Sequence, residues 1–198
     1  IVAMEANASA SGLCARVKKE GRRNGLMGGG ANGGNVSGTE ELNLWVDPMA
    51  AKVVMSAGIP MTMVGLDVTE KAVLGREEGK ELREYGSKAS VLTADILEYM
   101  FKRCKGGGED ALMHDALALA AAVIPECLEC RETSLDVEFR GEYTAGHTVT
   151  GVCNRRVHQE ANASVALELP LDGFQNRLLD CVKRCGEAWA GGEGHWRG

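Results

Sequence analysis

The stretch Ile59-Pro60-Met61-Thr62-Met63-Val64-Gly65-Leu66-Asp67-Val68-Thr69 decides the fold class. Its first part, residues 59–66, is mostly apolar and rich in methionine and β-branched residues, which is typical of a buried strand. Asp67-Val68-Thr69 then supplies a turn and a capping side chain, and the pattern predicts a helix from about Glu70 to Tyr85. A strand followed directly by a helix is the repeating unit of α/β folds.

Upstream of this unit, the sequence predicts two helices separated by a loop. The apolar spacing indicates a helix over Ala3–Lys19, and the glycines of Gly25–Gly38 indicate a loop. Asp47 places a capping carboxylate ahead of Pro48, and a proline is favoured at the first helical position. A helix is therefore expected from there to about Ser56.

Downstream, helices precede a group of strands. A helix is predicted over Ser87–Lys105, and Gly106–Gly108 should break it and act as a mobile hinge. His114-Asp115 then opens a helix over Ala116–Ile124, which is apolar all round and therefore expected to be buried, and Pro125 ends it. The remaining predicted elements are strands at Leu135–Phe139, His147–Val152 and Ser164–Leu169, and an amphipathic helix at Asp172–Cys185.

The composition is that of a globular chain. Of the 198 residues, 44% are hydrophobic and 25% are charged, so the chain is neither a disordered tail nor a fibrous repeat. Glycine is common, at 26 residues, while aromatic residues make up only 5%. This balance favours an α/β chain with many tight turns over an aromatic-rich β-sandwich.

Charge, apolar runs and cysteines limit the partners and the compartment. The net charge of −6 makes nucleic acid and anionic membranes poor partners. The longest charge-free apolar run, residues 116–125, is too short to span a bilayer. Seven cysteines, an odd number, lie mostly in apolar periodic stretches, which favours reduced thiols and a cytoplasmic protein.

Two constellations carry candidate chemistry. If the chain is extended from Glu41 to Asn43, both side chains point to one face, and together with Asn35 they could grip the vicinal hydroxyls of a sugar. The alternative is a solvated loop with capping polar residues. His114-Asp115 places a titratable donor beside a hard oxygen ligand at the start of a helix, although Asp115 alone could be only a cap. The other three histidines, His147, His158 and His195, are expected at the surface.

Seven short motifs give the chain a family resemblance. They are Met27-Gly28-Gly29, Gly34-Asn35, Glu41-Leu42-Asn43, Asp47-Pro48-Met49-Ala50-Ala51, Ile59-Pro60, Leu66-Asp67-Val68-Thr69 and Met113-His114-Asp115-Ala116-Leu117-Ala118. In order and spacing, the chain resembles the C-terminal part of the inosine-uridine-preferring nucleoside hydrolases. The resemblance implies an α/β fold, the C-terminal portion of a mainly parallel open sheet flanked by helices.

The resemblance also implies an activity and a set of roles. The activity is hydrolysis of the N-glycosidic bond of ribonucleosides, in which a calcium-bound water attacks the sugar. By resemblance, Asn35, Glu41 and Asn43 would hold ribose hydroxyls, and Met27 would line the ribose. Asp115 would ligate calcium and a ribose hydroxyl, and His114 would assist departure of the base. A ribonucleoside substrate and a homo-oligomeric full-length form are further expectations.

The sequence departs from the family pattern at three points. The Asp-rich DxDxxxDD string, which supplies the catalytic base and most calcium ligands in the family, does not occur in this sequence. Calcium takes six to eight oxygen ligands, so Asp115 alone cannot hold it. Ala145 replaces a usual arginine, and Leu42 stands where an aromatic residue is often found.

We therefore expect a partial domain over residues 1–189 with a flexible tail at 190–198, inactive by itself. The alternative is a catalytically dead remnant that binds ribose or a partner subunit.

The helix before the glycine hinge gives one further expectation. Tyr99 and Phe101 could form a lid whose rings stack on a nucleobase while water is excluded. Alternatively, both rings could pack in the core. The sequence leaves both interpretations open.

Overall fold

The computed structural model describes residues 24–103, 108–152 and 160–190. These residues fall into two compact units. The first, here called the sheet unit, contains the described residues up to Lys71 together with those of His114–Pro170. The second, here called the helical unit, contains those of Ala72–Met113 and those from Leu171 onward. The candidate residues Met27, Asn35, Glu41, Asn43, His114 and Asp115 all belong to the sheet unit.

The described elements are numbered in chain order through both units. The strands are β1 Asn24–Met27, β2 Met61–Val64, β3 Val73–Gly75, β4 Asp110–Leu112, β5 Glu129–Thr133, β6 Leu135–Val137, β7 Thr148–Thr150 and β8 Ala163–Glu168. The helices are α1 Leu42–Val46, α2 Pro48–Met55, α3 Leu66–Thr69, α4 Arg76–Tyr85, α5 Lys88–Arg103, α6 His114–Val123 and α7 Leu171–Ala190, with a 3-10 turn at Pro125–Cys127.

A four-stranded sheet in the order β1-β2-β8-β5 forms the centre of the sheet unit. β1 pairs with β2 in parallel, β2 pairs with β8 in parallel, and β5 joins β8 antiparallel. Helix α6 contacts β1 and β2. Residues of α1, α2 and β6 share a core cluster with the sheet, and this cluster includes Leu44, Met55, Met63, Leu135 and Val165. The expected α/β architecture with a mainly parallel sheet and flanking helices is confirmed.

Parallel strands covered by other elements should be apolar on both faces. Met63, Val64 and Val165 agree with this, since none of them is exposed to solvent. The antiparallel edge strand β5 differs, because four of its five residues are exposed. Charged side chains on an edge strand discourage pairing with other chains. This is why its sequence, Glu-Cys-Arg-Glu-Thr, carries no strand pattern that periodicity could detect.

The predicted loop over Gly25–Gly38 is wrong at its beginning. Gly25 and Met27 belong to β1, which pairs residue by residue with β2 from Asn24↔Met61 to Met27↔Val64. A glycine weakens a strand, yet here it is required by packing. A Cβ on Gly25 would lie 3.0 Å from the carbonyl oxygen of Ala118 in α6. The glycine therefore lets the helix lie close on the strand.

The predicted helix over Glu70–Tyr85 is also wrong at its beginning. The short helix α3 ends just before Glu70, the strand β3 occupies residues 73–75, and α4 begins only at Arg76. Glu78 caps α4 by accepting a hydrogen bond from the backbone N–H of Gly75 at 2.8 Å. Asp67 is therefore not the cap of this helix, and its carboxylate is used elsewhere.

The helix α6 begins two residues earlier than predicted and is not buried all round. His114 and Asp115 form its first turn, while Leu117 and Ala118 are buried. Leu119 and Val123 lie on the other side and are exposed. A helix whose sequence is apolar on every face can therefore still have one side exposed to solvent, and the sequence pattern does not show which side. The strands β4 and β5 were not predicted.

The other predicted elements are confirmed with small shifts of their ends. The first helix at 3–19, Gly106 and Gly107 of the hinge, and residues 191–198 of the tail lie outside the described residues. None of the described helices is long and apolar enough to cross a membrane.

In the helical unit, α4, α5 and α7 pack with the antiparallel strand pair β3 and β4. Its core contains Leu74, Leu82, Leu97, Phe101 and Leu179. Ion pairs join Arg83 to Asp95 and Lys183 to Glu81 at its surface. Phe101 is 2% exposed, whereas Tyr99 is 59% exposed and lies against Arg103. For Phe101, the core interpretation is therefore correct.

Candidate functional site

Met27 and Asn43 meet at the carboxyl end of β1. Met27 is the last residue of the strand and is buried. The side-chain Nδ2 of Asn43 lies 2.9 Å from the Met27 sulphur and 3.4 Å from the Met27 carbonyl oxygen. In parallel sheets, ligands bind outside the carboxyl ends of the strands. The pair therefore lies where the fold favours a binding site.

Glu41 holds the backbone on both sides of this pair. The residue is 2% exposed, and its carboxylate accepts hydrogen bonds from three backbone N–H groups. Oε2 accepts from Gly29 at 2.8 Å and from Leu44 at 3.2 Å, and Oε1 accepts from Asn43 at 3.1 Å. Bonds from N–H groups to a carboxylate are stronger than those between neutral groups. Glu41 thus joins the loop after β1 to the first turn of α1.

The expectation of an extended segment from Glu41 to Asn43 is wrong. Glu41 is extended, but it is the N-cap of α1, and Leu42 begins the helix. The first N–H groups of a helix have no partner within the helix and need an acceptor. Glu41 is that acceptor, and this favours a helical turn where alternation suggested a strand. Asn43 remains close to Glu41 because its own N–H donates to the carboxylate.

Asn35 belongs to the same cluster. Its Oδ1 accepts a hydrogen bond from the backbone N–H of Leu42 at 3.0 Å, and the residue is exposed. The backbone N–H of Asn35 donates to the carbonyl of Glu40 at 2.9 Å, which closes the loop. Four sequence-predicted residues, Met27, Asn35, Glu41 and Asn43, are therefore brought together.

His114 and Asp115 lie toward the same edge of the sheet without joining this cluster. A small cavity of about 150 Å³ places Asn24 and Gly25, at the start of β1, beside Ala121 and Ala122, near the end of α6. The helix therefore runs opposite to β1, and its first turn lies toward the carboxyl end of the strand. No hydrogen bond between His114 or Asp115 and the cluster occurs among the described residues.

The two side chains differ in their surroundings. His114 is half-buried, and its Nδ1 is a buried atom that has no hydrogen-bond partner within the described part of the chain. A buried polar atom without a partner is uncommon and costs free energy. Asp115 is exposed. His114 therefore has an unused hydrogen-bonding position, and Asp115 is open to solvent.

Calcium does not fit the described residues by themselves. Within residues 24–103, 108–152 and 160–190, no three His, Cys, Asp or Glu side chains are close enough to hold a metal ion together. Calcium requires six to eight oxygen ligands, and Asp115 supplies at most two. The described residues therefore supply at most part of a calcium site.

Two residues of the site were not predicted. Thr148 Oγ1 accepts the N–H of Gly30 at 3.0 Å, and the Asp67 carboxylate accepts the N–H groups of Ala31 and Asn32 at 2.7 and 3.1 Å. Asp67 lies three residues after the end of β2, so its place beside the loop after β1 could have been predicted from the parallel pairing of these strands. Thr148 carries no such local signal.

His147 is not a surface residue. It is half-buried, its Nδ1 lies 3.1 Å from the carbonyl oxygen of Thr39, and it pairs with Glu40 in an antiparallel bridge. These contacts hold the loop before Glu41 against β7. His158 and His195 lie outside the described residues.

The fold and the cluster define an α/β protein with a polar site at the carboxyl end of its parallel strands. The chain belongs to the inosine-uridine preferring nucleoside hydrolase family, whose sequence profile matches residues 8–176. The family expected from the short motifs is confirmed. Of the six candidate residues, Met27, Asn35, Glu41 and Asn43 form the cluster, and His114 and Asp115 lie toward the same edge of the sheet.

A relative from Escherichia coli O17:K52:H18 is named pyrimidine-specific ribonucleoside hydrolase RihA. It is 35% identical over 161 residues, which are 80% of this chain and 51% of RihA. The chain thus spans about half the length of the curated relatives it matches.

Solved structures give the same fold. A purine-preferring ribonucleoside hydrolase from Gardnerella vaginalis matches with a TM-score of 0.77 and 28% identity, over 94% of this chain and 61% of that one. An inosine-uridine preferring nucleoside hydrolase from Bacillus anthracis matches with a TM-score of 0.70 and 18% identity, over 88% of this chain and 58% of that one.

Proposed function

We propose that this chain takes part in the hydrolysis of ribonucleosides to base and ribose, and that it contributes the grip on the ribose. One observation carries the proposal. Asn43, Met27 and Glu41 form a single hydrogen-bonded cluster at the carboxyl end of β1. Membership of the nucleoside hydrolase family supports the reaction.

The cluster has the chemistry that a sugar requires. A hydroxyl group both donates and accepts hydrogen bonds, so it needs acceptors and donors around it. Oε1 of Glu41 accepts one N–H group from the described residues, and a carboxylate oxygen can accept a second bond. Asn35 and Asn43 have amides that offer both functions. Met27 is buried at the end of β1, and its soft apolar side chain suits the carbon face of the ring.

His114 is proposed to assist departure of the base. Its half-buried ring lies at the first turn of α6, toward the carboxyl end of β1. An imidazole can donate a proton to a leaving base or to a water that does. A purine or pyrimidine leaves more easily when it is protonated, and a positioned acid supplies that proton. Asp115, exposed beside it, is proposed to accept a ribose hydroxyl.

A homo-oligomeric form is part of the same proposal. Trp45 and Val46 of α1 are 51% and 64% exposed, and Leu42 and Met49 are exposed beside them in sequence. Exposed apolar side chains grouped in this way mark interaction surfaces. A change of Val46 to Glu should lower the mass measured by sedimentation if a second copy covers this surface, and an unchanged mass would contradict it.

We include the cytoplasmic location expected from the sequence in the proposal, because of the state of the cysteines. Within the described part of the chain, the cysteines at 130, 181 and 185 form no disulfide. Thiols remain reduced in the cytoplasm, where disulfides are rare.

Titration of the chain with D-ribose tests the ribose grip. We expect the backbone amide NMR signals of Gly29, Asn43 and Leu44 to shift, since Glu41 accepts a hydrogen bond from each of these groups. The variant Asn43→Ala should bind ribose about tenfold more weakly, which corresponds to the loss of one good hydrogen bond. Asn176→Ala, at an exposed amide on α7, is the matched control. Shifts confined to other regions, or no shifts, would overturn the proposal.

Base release from inosine and uridine gives the second measurement. Any release by the chain, with or without added calcium, should fall in His114→Ala and Asn43→Ala. Binding of ribose without base release would support the grip and assign the chemical step to residues that this chain lacks.

A further inference from the structure

Four consecutive backbone N–H groups follow strand β1, and each donates to a side chain rather than to another backbone group. The donors are Gly29, Gly30, Ala31 and Asn32, and the acceptors are Glu41 for the first, Thr148 for the second and Asp67 for the last two. We call residues 28–32 the amide loop. The bonds from Gly29 and Gly30 are buried, and buried N–H groups outside helices and sheets need such partners because leaving them unpaired costs free energy.

The three acceptors come from three separate parts of the sheet unit. Glu41 precedes α1, Asp67 lies in α3, and Thr148 begins β7. Asp67 is separated from Ala31 by 36 positions, and Thr148 from Gly30 by 118. The amide loop is therefore held from three sides by residues that the chain brings in from a distance.

Asp67 makes the largest set of these contacts. Besides the two N–H groups, its Oδ1 accepts the side-chain Nδ2 of Asn32 at 2.6 Å. The backbone N–H of the neighbouring Leu66 donates to the carbonyl of Gly29 at 2.9 Å. Hydrogen bonds to an ionised carboxylate are about twice as strong as neutral ones. Asp67 therefore binds N–H groups of the amide loop, and Leu66 binds one of its carbonyl groups.

The glycines of the loop fit these acceptors closely. Gly29 has a φ of +76°, and a Cβ there would lie 2.6 Å from Thr148 Oγ1. A Cβ on Gly30 would lie 2.2 Å from the carbonyl oxygen of Gly33. Thr148 can therefore reach the loop only because no side chain stands between them.

We infer that Asp67 and Thr148 are positioning residues for the ribose grip. The amide loop starts directly after Met27 and leads toward Asn35, so its conformation sets the distance between these residues. Neither Asp67 nor Thr148 has a hydrogen bond to Met27, Asn35 or Asn43 among the described residues, and both act through the loop. Holding a site in its binding geometry before the ligand arrives lowers the cost of binding. The inference rests on the proposed ribose grip.

The experiment compares amide exchange and ribose affinity in matched variants of the whole chain. The variants are Asp67→Asn, Thr148→Val, Thr148→Ser and the control Asp95→Asn, which alters an exposed ion pair with Arg83. Hydrogen exchange at Gly30, Ala31 and Asn32 reports the order of the amide loop, and titration with D-ribose reports the grip.

We expect Asp67→Asn to speed exchange at Ala31 and Asn32 by at least about tenfold and to weaken ribose binding by a similar factor. Thr148→Val, which keeps the shape and removes the acceptor, should speed exchange at Gly30. Thr148→Ser restores the hydroxyl. Its exchange rate at Gly30 and its ribose affinity should both return toward the values of the unchanged chain. Asp95→Asn should change neither.

Two results would overturn the inference. One is unchanged exchange at Ala31 and Asn32 in Asp67→Asn. The other is faster exchange with unchanged ribose affinity, because the order of the loop would then not matter to the grip. If Asp67→Asn fails to fold, the comparison of Thr148→Val with Thr148→Ser decides. Absence of ribose binding by the unchanged chain would overturn the proposed function instead, and amide exchange would still test whether Asp67 holds the loop.

Discussion

The side-chain amide of Asn43 lies 2.9 Å from the sulphur of Met27, 16 positions earlier in the chain. The last residue of a strand and the first turn of a helix thereby share one contact. Neither residue alone suggests a sugar site, because methionine commonly fills a core and asparagine commonly caps a helix. Their proximity, with Glu41 between them, makes the carboxyl end of β1 a polar pocket wall.

Changing Asn43 to Asp should destabilise the chain near neutral pH. The new carboxylate would replace a donor that points at the Met27 carbonyl oxygen, 3.4 Å away, with an acceptor that repels it. We expect a loss of about 1–3 kcal/mol in the free energy of unfolding, measured by urea denaturation. The loss should become smaller in acid, where the carboxylate is protonated. An unchanged free energy of unfolding in Asn43→Asp at neutral pH would contradict the contact.

Removing the Glu41 carboxylate should be costly. In Glu41→Ala, the N–H groups of Gly29, Asn43 and Leu44 lose their acceptor in a region where Glu41 itself is buried. We expect a loss of about 3 kcal/mol, which lowers the melting temperature by roughly 6–12 °C. Glu77→Ala, at an exposed ion pair with Lys80, should change stability by no more than about 0.5 kcal/mol. Similar effects in the two variants would show that the Glu41 bonds contribute little.

Three glycine variants separate backbone strain from collision. Gly38→Ala meets no atom within 4 Å and should be nearly neutral, while Gly58→Ala meets open space at a φ of +64° and should cost about 1 kcal/mol. Gly29→Ala combines a φ of +76° with a Cβ only 2.6 Å from Thr148 Oγ1. It should therefore be the least stable of the three by thermal melting. A Gly29→Ala variant no less stable than Gly58→Ala would show that Thr148 moves away freely.

Glu138 should give the β6–β7 hairpin an acid-dependent stability. Hydrogen bonds from the backbone N–H groups of Arg140 and Gly141 hold the pKa of Glu138 below its ordinary value. The folded chain therefore binds this proton more weakly than the unfolded chain does. The stabilisation is present above the ordinary pKa and is lost as the pH falls through the lowered one. The melting-temperature difference between the unchanged chain and Glu138→Gln should shrink in this range, whereas that of Tyr143→Phe should stay constant.

Phe101 and Tyr99 should respond oppositely to truncation. Phe101 lies in the core of the helical unit with Leu97 and Leu82, so Phe101→Ala should cost about 3–5 kcal/mol. Tyr99 is exposed, and Tyr99→Ala should cost less than about 1 kcal/mol. Calorimetry of the two variants measures both values. A large loss in Tyr99→Ala would place that ring in the core as well.

The sequence alone predicts the helices and strands whose hydrophobic pattern is local. The helices α2, α5 and α7 and the strands β2, β7 and β8 lie close to their predicted positions, because each has its own apolar period. The burial of Phe101 was also available from sequence, since Ala94, Leu97 and Phe101 repeat at helical spacing and Tyr99 falls off that stripe. This spacing favours the core interpretation over the lid interpretation for Phe101.

The remaining features depend on distant parts of the chain. β1 contains a glycine and is a strand because β2 pairs with it. From the sequence, Asp67 could have capped the next helix. The structure shows that its carboxylate instead accepts the N–H groups of the amide loop. Glu41 and Asn43 were correctly grouped, yet through a helix cap rather than through strand alternation. Propensity describes each of these residues equally well in either role.

The position of β8 between β2 and β5 has a consequence for biosynthesis. β2 ends at Val64, and its second neighbour begins only at Ala163. At about 5–20 residues per second, a ribosome needs roughly 5–20 s to deliver that neighbour. Throughout this interval, the edge of β2 that will receive β8 is open to other nascent chains. Translation products that stop before Ala163 should therefore aggregate and require chaperones, whereas those that continue through Glu168 can close the sheet.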